Sequence, residues 1–259
     1  MYRSTLAALL FSVALLTCGE SLLAQNAPAV LTTRDGGTRQ TLESIFIPPI
    51  ANAPFSLTLE TEWSRPLNGG GSYTLVNRRR IMRDSAGRIY QERWLLAPKG
   101  GKVESRMNWI QIADPVKHIL YNCAVDNKVC TPSPYGGSTT NVYRPAMGTS
   151  GPLPDGNGFQ RHEDLGPGSA AGVATIGFRD TTTLNPGVQG NDLPMTMTRE
   201  FWYAPKLGIN LISILDTPQS GKQVFTVTAI SADEPDPRFF SIPDGYTAPD
   251  ARDGANSPN

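Results

Sequence analysis

From Phe55 the chain alternates: Phe55, Leu57, Leu59, Thr61 and Trp63 fall on one side of an extended backbone, Ser56, Thr58, Glu60 and Glu62 on the other. A period of two predicts a β-strand with one buried and one wet face. Strand-forming composition returns at residues 72–83, 88–96, 103–112, 117–125, 172–184, 195–203, 209–216 and 222–231. Turn chemistry separates these segments: Asn68-Gly69-Gly70-Gly71, Asp84-Ser85-Ala86-Gly87, Pro98-Lys99-Gly100-Gly101, Asp114-Pro115, Pro205-Lys206-Leu207-Gly208 and residues 217–221. Consecutive strands joined by short turns predict an antiparallel meander. The one helix signal lies at residues 38–46, stopped by Pro48-Pro49.

Several strands are apolar on both sides. Met195, Met197, Phe201 and Tyr203 oppose Trp202, and Ile209, Leu211 and Leu215 oppose Ile212 and Ile214. Such a sheet needs cover on both faces. The expected fold is mainly β, a single curved antiparallel sheet or partial barrel with little helix; a β-sandwich is the alternative. Residues 131–158, rich in Pro, Gly, Ser, Thr and Asn, read as a long surface loop.

Residues 1–24 have the layout of a secretory signal peptide: Arg3, an apolar run from Leu6 to Leu16, and a polar stretch closing on Ala24. That run is too short for a stable membrane anchor, and no later apolar run is long enough to span a bilayer. The expected organisation is a signal peptide (1–24), an N-terminal arm (25–50), one β domain (51–246) and a disordered polar tail (247–259). Cys123 and Cys130 then remain as an even, closely spaced pair, which in an exported chain reads as a disulfide, with Asp126-Asn127 as the turn of the stapled hairpin. The 259 residues carry 23 Lys and Arg against 23 Asp and Glu, and this zero balance points to neither a nucleic acid nor an anionic membrane surface as partner.

Particular motifs carry a resemblance. Arg83-Asp84-Ser85-Ala86-Gly87-Arg88, then Glu92 and Asp114-Pro115, resemble the RDSxGR…E…DP signature of a large group of uncharacterised secreted bacterial proteins. Glu163-Asp164-Leu165-Gly166, Gly172-Val173 and Gly177-Phe178-Arg179-Asp180-Thr181 are similar to its ExLG…GV…GxRxT series, and residues 200–246 to its ExWYxxxLG, DPxxG and EPDPxxFxxPxGY ending. The chain departs where Thr217 stands for the usual Asp and in the longer loop that carries the cysteines. The group lends an expectation of export and no activity. A second resemblance, architectural only, is to LolA- and RseB-type lipoprotein-handling domains. It implies a strongly curved sheet whose hollow takes acyl chains or lipoprotein segments.

Chemistry-bearing residues are sparse. The chain has two histidines, His118 and His162, and no GxSxG, HExxH, P-loop or dinucleotide fingerprint. His162-Glu163-Asp164 alternate along an extended chain and cannot converge on one metal. No metal and no cofactor is expected. Arg78-Arg79-Arg80 with Arg83, Arg88 and Arg93 form a basic patch, read either as a receptor for an anionic headgroup or as cross-strand partners of Glu60, Glu62, Glu92 and Glu104. Trp63, Trp94, Trp109 and Trp202 lie in strands, as a binding platform or as core. The candidate ligand-binding residues are thus Trp63, Trp94, Trp109, Trp202, Arg79 and Arg88. The expected function is non-catalytic binding of a lipid, a lipoprotein or an envelope protein. The alternatives are an envelope glycan hydrolase using Glu60, Glu62 or Glu200, and a structural or adhesive surface module.

Overall fold

The computed structural model describes residues 44–249 apart from residues 142, 144 and 146. The expected signal peptide, most of the arm and of the 38–46 helix, and most of the polar tail lie outside the described residues.

The strands are β1 (Phe55–Pro66), β2 (Ser72–Arg83), β3 (Ile89–Trp94), β4 (Ala97–Pro98), β5 (Met107–Asp114), β6 (Ile119–Ala124), β7 (Val129–Pro134), β8 (Gly151–Pro152), β9 (Gly158–Ala170), β10 (Val173–Leu184), β11 (Met195–Ala204), β12 (Ile209–Thr217) and β13 (Gly221–Ser231). They form one 13-stranded antiparallel sheet in the order β7-β6-β5-β3-β2-β1-β13-β12-β11-β10-β9-β8, with β4 beside β2. The sheet is not closed into a barrel, and it is the one sheet among the described residues. Two short 3-10 turns, Pro154–Gly156 and Pro237–Phe240, are the helical structure among the described residues.

The expected meander is present as two. One runs outward from β1 to the β7 edge, the other runs inward from the β8 edge to β13, and the first and last strands pair along the centre line. The chain must therefore cross from one edge to the other between Pro134 and Gly151. At ~4.8 Å per strand, a flat sheet would hold its edges roughly 50 Å apart, while residues 135–150 reach at most ~55 Å fully extended. The sheet is curled instead. Arg83 of β2 reaches the Leu207 carbonyl in the β11–β12 turn at 2.6 Å, although in a flat sheet β2 and β12 would lie roughly 14 Å apart. The long loop is thus a strap across the inner face rather than a surface excursion: its Tyr135 packs on the inner core, and its Gly148 N–H meets the Asp180 carboxylate of β10 at 3.3 Å.

Strand alternation sorts the side chains into two cores. Phe55, Leu57, Leu59, Ile81, Ile89, Ile209, Leu211, Phe225 and Val227 point inward, where Ile45 and Ile47 of the N-terminal segment join them. Met82, Tyr90, Ile110, Ile112, Cys123 and Cys130 point outward and are covered by Phe239, Phe240, Ile242 and Tyr246 of the C-terminal segment. The requirement for cover on both faces is met by irregular chain instead of helices. Cys123 and Cys130 lie opposite each other on β6 and β7 and form the expected disulfide. Thr247, placed in the tail by composition, extends this hairpin: it bridges Val129, donates to the Lys128 carbonyl and accepts from the Cys130 N–H at 2.7 Å.

The sequence reading misses β9. Its segment Gly158–Ala170 mixes charge, glycine and Pro167 with few apolar residues, yet it pairs with β10 along its length, with a bulge beside Phe178.

Candidate functional site

The arginine-rich hairpin is where the sequence offered two readings, and strand geometry divides it between them. Arg78 and Arg80 point outward and are paired across the sheet, Arg78 with Glu60 of β1 and Arg80 with Glu92 of β3, whose carboxylate also receives the Trp94 indole N–H at 2.9 Å. Arg88 pairs with the buried carboxylate of Asp84 at 2.6 Å and lies over the Phe240 ring. These outer-face guanidiniums are structural.

Arg83 points inward and is fully buried. Its guanidinium donates to the Ala53, Pro48 and Leu207 carbonyls at 2.6–2.9 Å and lies over the Phe55 ring. Burial pushes it down to about 10, still cationic at neutral pH. It ties the N-terminal segment to both halves of the sheet. Next to it, Asp84 accepts the Arg88 N–H, and Ser85 bonds the Glu234 carboxylate. The RDSAGR and EPDP motifs that carry the resemblance are therefore one structural clasp. Gly87 belongs to it too: with φ at +80°, a Cβ there would sit 2.8 Å from Thr139 of the strap and 3.0 Å from the Pro49 carbonyl.

Arg79 and Arg93 point inward and differ from all of these. Arg79 is 5% exposed, and its one side-chain partner among the described residues is the Ser44 hydroxyl; its Nε is buried with no acceptor there. Arg93 of β3 donates its Nε to Gln111 Oε1 at 2.5 Å. The β2–β3 register, in which Ile81 opposes Gln91, brings Arg79 across from Arg93 when continued by two residues. Burial, then the neighbouring Arg93 charge, push the Arg79 guanidinium down to about 10, and burial lowers Arg93 as well. Neither has a carboxylate partner among the described residues.

Over this stretch the inner face is hollow. One cavity of about 240 Å³ is lined by Ile45, Ile47, Ile89, Arg93, Gln111 and Tyr135. A second, of about 290 Å³, lies between the strap and β11–β12, against Tyr143, Pro145, Phe201 and Tyr203. Phe46 lines both. It is 66% exposed and meets the strap through Tyr143, with ring centroids 5.9 Å apart.

A larger groove, about 660 Å³, opens on the outer face beneath residues 97–105, with Val76, Val103, Val224 and Thr226 among its lining. Its charged groups neutralise one another, Glu60 with Arg78 and Glu62 with Lys99 at 2.7 Å. The inner face, by contrast, holds the Arg93 charge without a carboxylate partner among the described residues, beside apolar space.

The four tryptophans do not form one platform. Trp63 and Trp109 face inward from β1 and β5, with β2 and β3 between them, while Trp94 and Trp202 face outward. Trp63 donates to the Ser220 carbonyl at 2.5 Å, and Trp202 to Glu200 at 2.9 Å. Glu200 also accepts both nitrogens of Arg179. His162, Glu163 and Asp164 separate as alternation requires: His162 turns to Asp180 at 2.6 Å, Glu163 pairs with Arg161, and Asp164 accepts the Gly166 N–H. None of the candidate residues lines either inner cavity; Arg79 lies nearest, buried behind Ser44, which lines the second. Phe46 and Tyr135 are members that sequence reasoning left out, and Arg93 entered it only as part of the basic patch. The period-two rule applied to Arg78-Arg79-Arg80 isolates Arg79, but the roof above it comes from distant segments without a local signal.

No protein-family model and no curated protein matches the chain. Among solved structures it is similar to the MucA/MucB complex of Pseudomonas aeruginosa, at 12% identity and a TM-score of 0.35, covering 74% of this chain and 56% of that one. It is similar to LprF from Mycobacterium bovis at 13% identity and a TM-score of 0.31, covering 75% and 90%. A DUF1329 family protein from Desulfovibrio piger gives 10% identity and a TM-score of 0.20, covering 73% and 90%. The chain thus spans little more than half the length of the MucB complex chain it matches.

Proposed function

We propose that this is an exported, non-catalytic binding protein that takes an apolar or amphipathic ligand between the inner face of its sheet and the roof made by residues 44–50 and the strap. The observation that carries this reading is Phe46, an exposed aromatic ring standing between two cavities on the inner face. An exposed large apolar residue at a cavity mouth is unfavourable in water and becomes favourable when a ligand covers it. The Cys123–Cys130 disulfide supports an oxidising compartment. The hydrolase alternative has weaker support: Glu60, Glu62 and Glu200 are each committed to a cation, Arg78, Lys99 and Arg179.

Native mass spectrometry of the purified protein, with uptake of a fluorescent naphthylamine probe, tests the reading. Copurifying amphiphile, or probe uptake that Phe46→Asp reduces while Val103→Asp in the outer groove leaves it intact, is expected. A protein that is clean as purified and takes up no apolar probe overturns it, and uptake lost only in Val103→Asp moves the site to the outer groove.

A further inference from the structure

The inner face holds two guanidiniums where one neutral side chain would serve the fold. Arg79 donates to Ser44, a tether that a glutamine could also make, and it leaves most of its five donors unused. Arg93 uses its Nε on Gln111, and its two terminal nitrogens have no partner among the described residues. Like charges facing across adjacent strands destabilise a sheet, and a buried unpaired charge is costlier still. The chain had carboxylates to spend on arginines and spent them on Arg78, Arg80, Arg88 and Arg179. Tyr135 lines the same cavity as Arg93, and burial raises its phenol, which keeps it protonated and able to donate. The other side of the same cavity is apolar, through Ile45, Ile47, Ile89 and Leu120.

We infer that Arg93, with the buried Arg79 charge next to it, forms an anion seat, in which the ligand's single acidic head, a carboxylate or a phosphate monoester, meets the Arg93 guanidinium while its apolar tail runs along Ile45, Ile47 and Ile89. This rests on the inner-face binding reading and specifies the ligand's chemistry. Guanidinium forks match both head groups, and Phe46 sets how far a tail extends toward the second cavity. The long arginine stem suits the site as well, since its methylenes add to the apolar wall.

The test uses the full mature chain with decanoate, decyl phosphate and neutral decanol as probes, and inorganic phosphate as a headgroup control, read by calorimetry and thermal shift. Charge-assisted hydrogen bonds should make at least one anionic amphiphile bind about tenfold to a hundredfold tighter than decanol. Decanoate against decyl phosphate then separates the two head groups. Arg93→Gln should bring anion affinity down to that of decanol, leave decanol unchanged, and leave the unliganded melting temperature no lower. Arg93→Lys should restore part of the preference, and Arg79→Gln, which removes the neighbouring charge and no direct contact, should cause a smaller loss. If the anionic and neutral probes bind alike and Arg93→Gln changes neither, the anion seat is wrong while inner-face binding stands. If inorganic phosphate alone binds, and Arg93→Gln abolishes it, the seat stands and the apolar reading falls. If no probe binds, both are overturned.

Discussion

The Trp202 ring lies over Gly177, on the neighbouring strand, so closely that a Cβ at Gly177 would stand 2.8 Å from it. Gly168, one strand further, is under the same ring, and a Cβ there would stand 2.3 Å from it. The indole N–H is held by Glu200, itself paired with Arg179, so the ring cannot swing aside without giving up its hydrogen bond to an anchored carboxylate. Gly177→Ala is therefore expected to destabilise the fold by roughly 1–3 kcal/mol through overpacking. In a Trp202→Leu background the same change should cost much less. Urea denaturation of the four proteins in this cycle gives the coupling; purely additive effects would mean that Gly177 serves something other than the ring.

Arg83→Met removes the donor shared by the Ala53, Pro48 and Leu207 carbonyls. Three acceptors then lose partners in a buried site, and a loss of roughly 3–5 kcal/mol is expected. Arg83→Lys, which cannot span all three, should recover only a part. Limited proteolysis checks the structural route: cleavage should appear first in residues 44–53, the segment that Arg83 anchors.

Tyr90 supplies a pH signature. Its hydroxyl is buried and donates to Glu92 at 3.3 Å; burial first, and the Glu92 charge second, push its pKa well above the usual phenol value. The unfolded phenol ionises near pH 10. Above that pH the unfolded state has released a proton that the native state keeps, so Tyr90 makes stability fall as pH rises past about 10, by ~1.4 kcal/mol per pH unit at most. Tyr90→Phe should lack this component. The stability difference between wild type and variant should be flat from about pH 7 to about pH 9 and shift against wild type above about pH 10. A difference that stays flat throughout would place the phenol in water.

Replacing both Cys123 and Cys130 by alanine opens a short hairpin loop and leaves space in the outer core, where both cysteines are fully buried. A loss of roughly 2–3 kcal/mol is expected on the chain-entropy argument. Thr247 is hydrogen-bonded to the same hairpin, so hydrogen exchange at the Cys130 and Thr247 amides should rise together. Exchange confined to Cys130 would show that the C-terminal segment holds independently.

Most strands were legible because a period of two, closed by glycine turns, is a strong local signal: β1, β2, β10, β12 and β13 lie where Phe55, Tyr73, Phe178, Ile209 and Val227 put them. β9 was not, since its partners supply the burial that its own Gly166, Pro167 and Gly168 do not advertise. The site was half legible. The Arg78-Arg79-Arg80 run announced itself, but which arginine lacks a partner depends on Glu60 and Glu92, each on a different strand. The roof was illegible for a related reason: residues 44–50 and the strap have no period of their own and are placed by what they touch, Ser44 by Arg79 and Gly148 by Asp180.

Residues 135–150 are the single covalent link between the two meanders, whose sheet continuity comes from the ladder between β1 and β13. A protease that cuts the strap would therefore leave two fragments held by the β1–β13 ladder, the shared inner core and the C-terminal segment, and each would expose an unpaired central edge only if they parted. Such halves are complementary in shape and register, from Ser56 opposite Ser231 to Ser64 opposite Lys222. The molecule is in this sense a self-assembled heterodimer whose two partners happen to be translated as one chain.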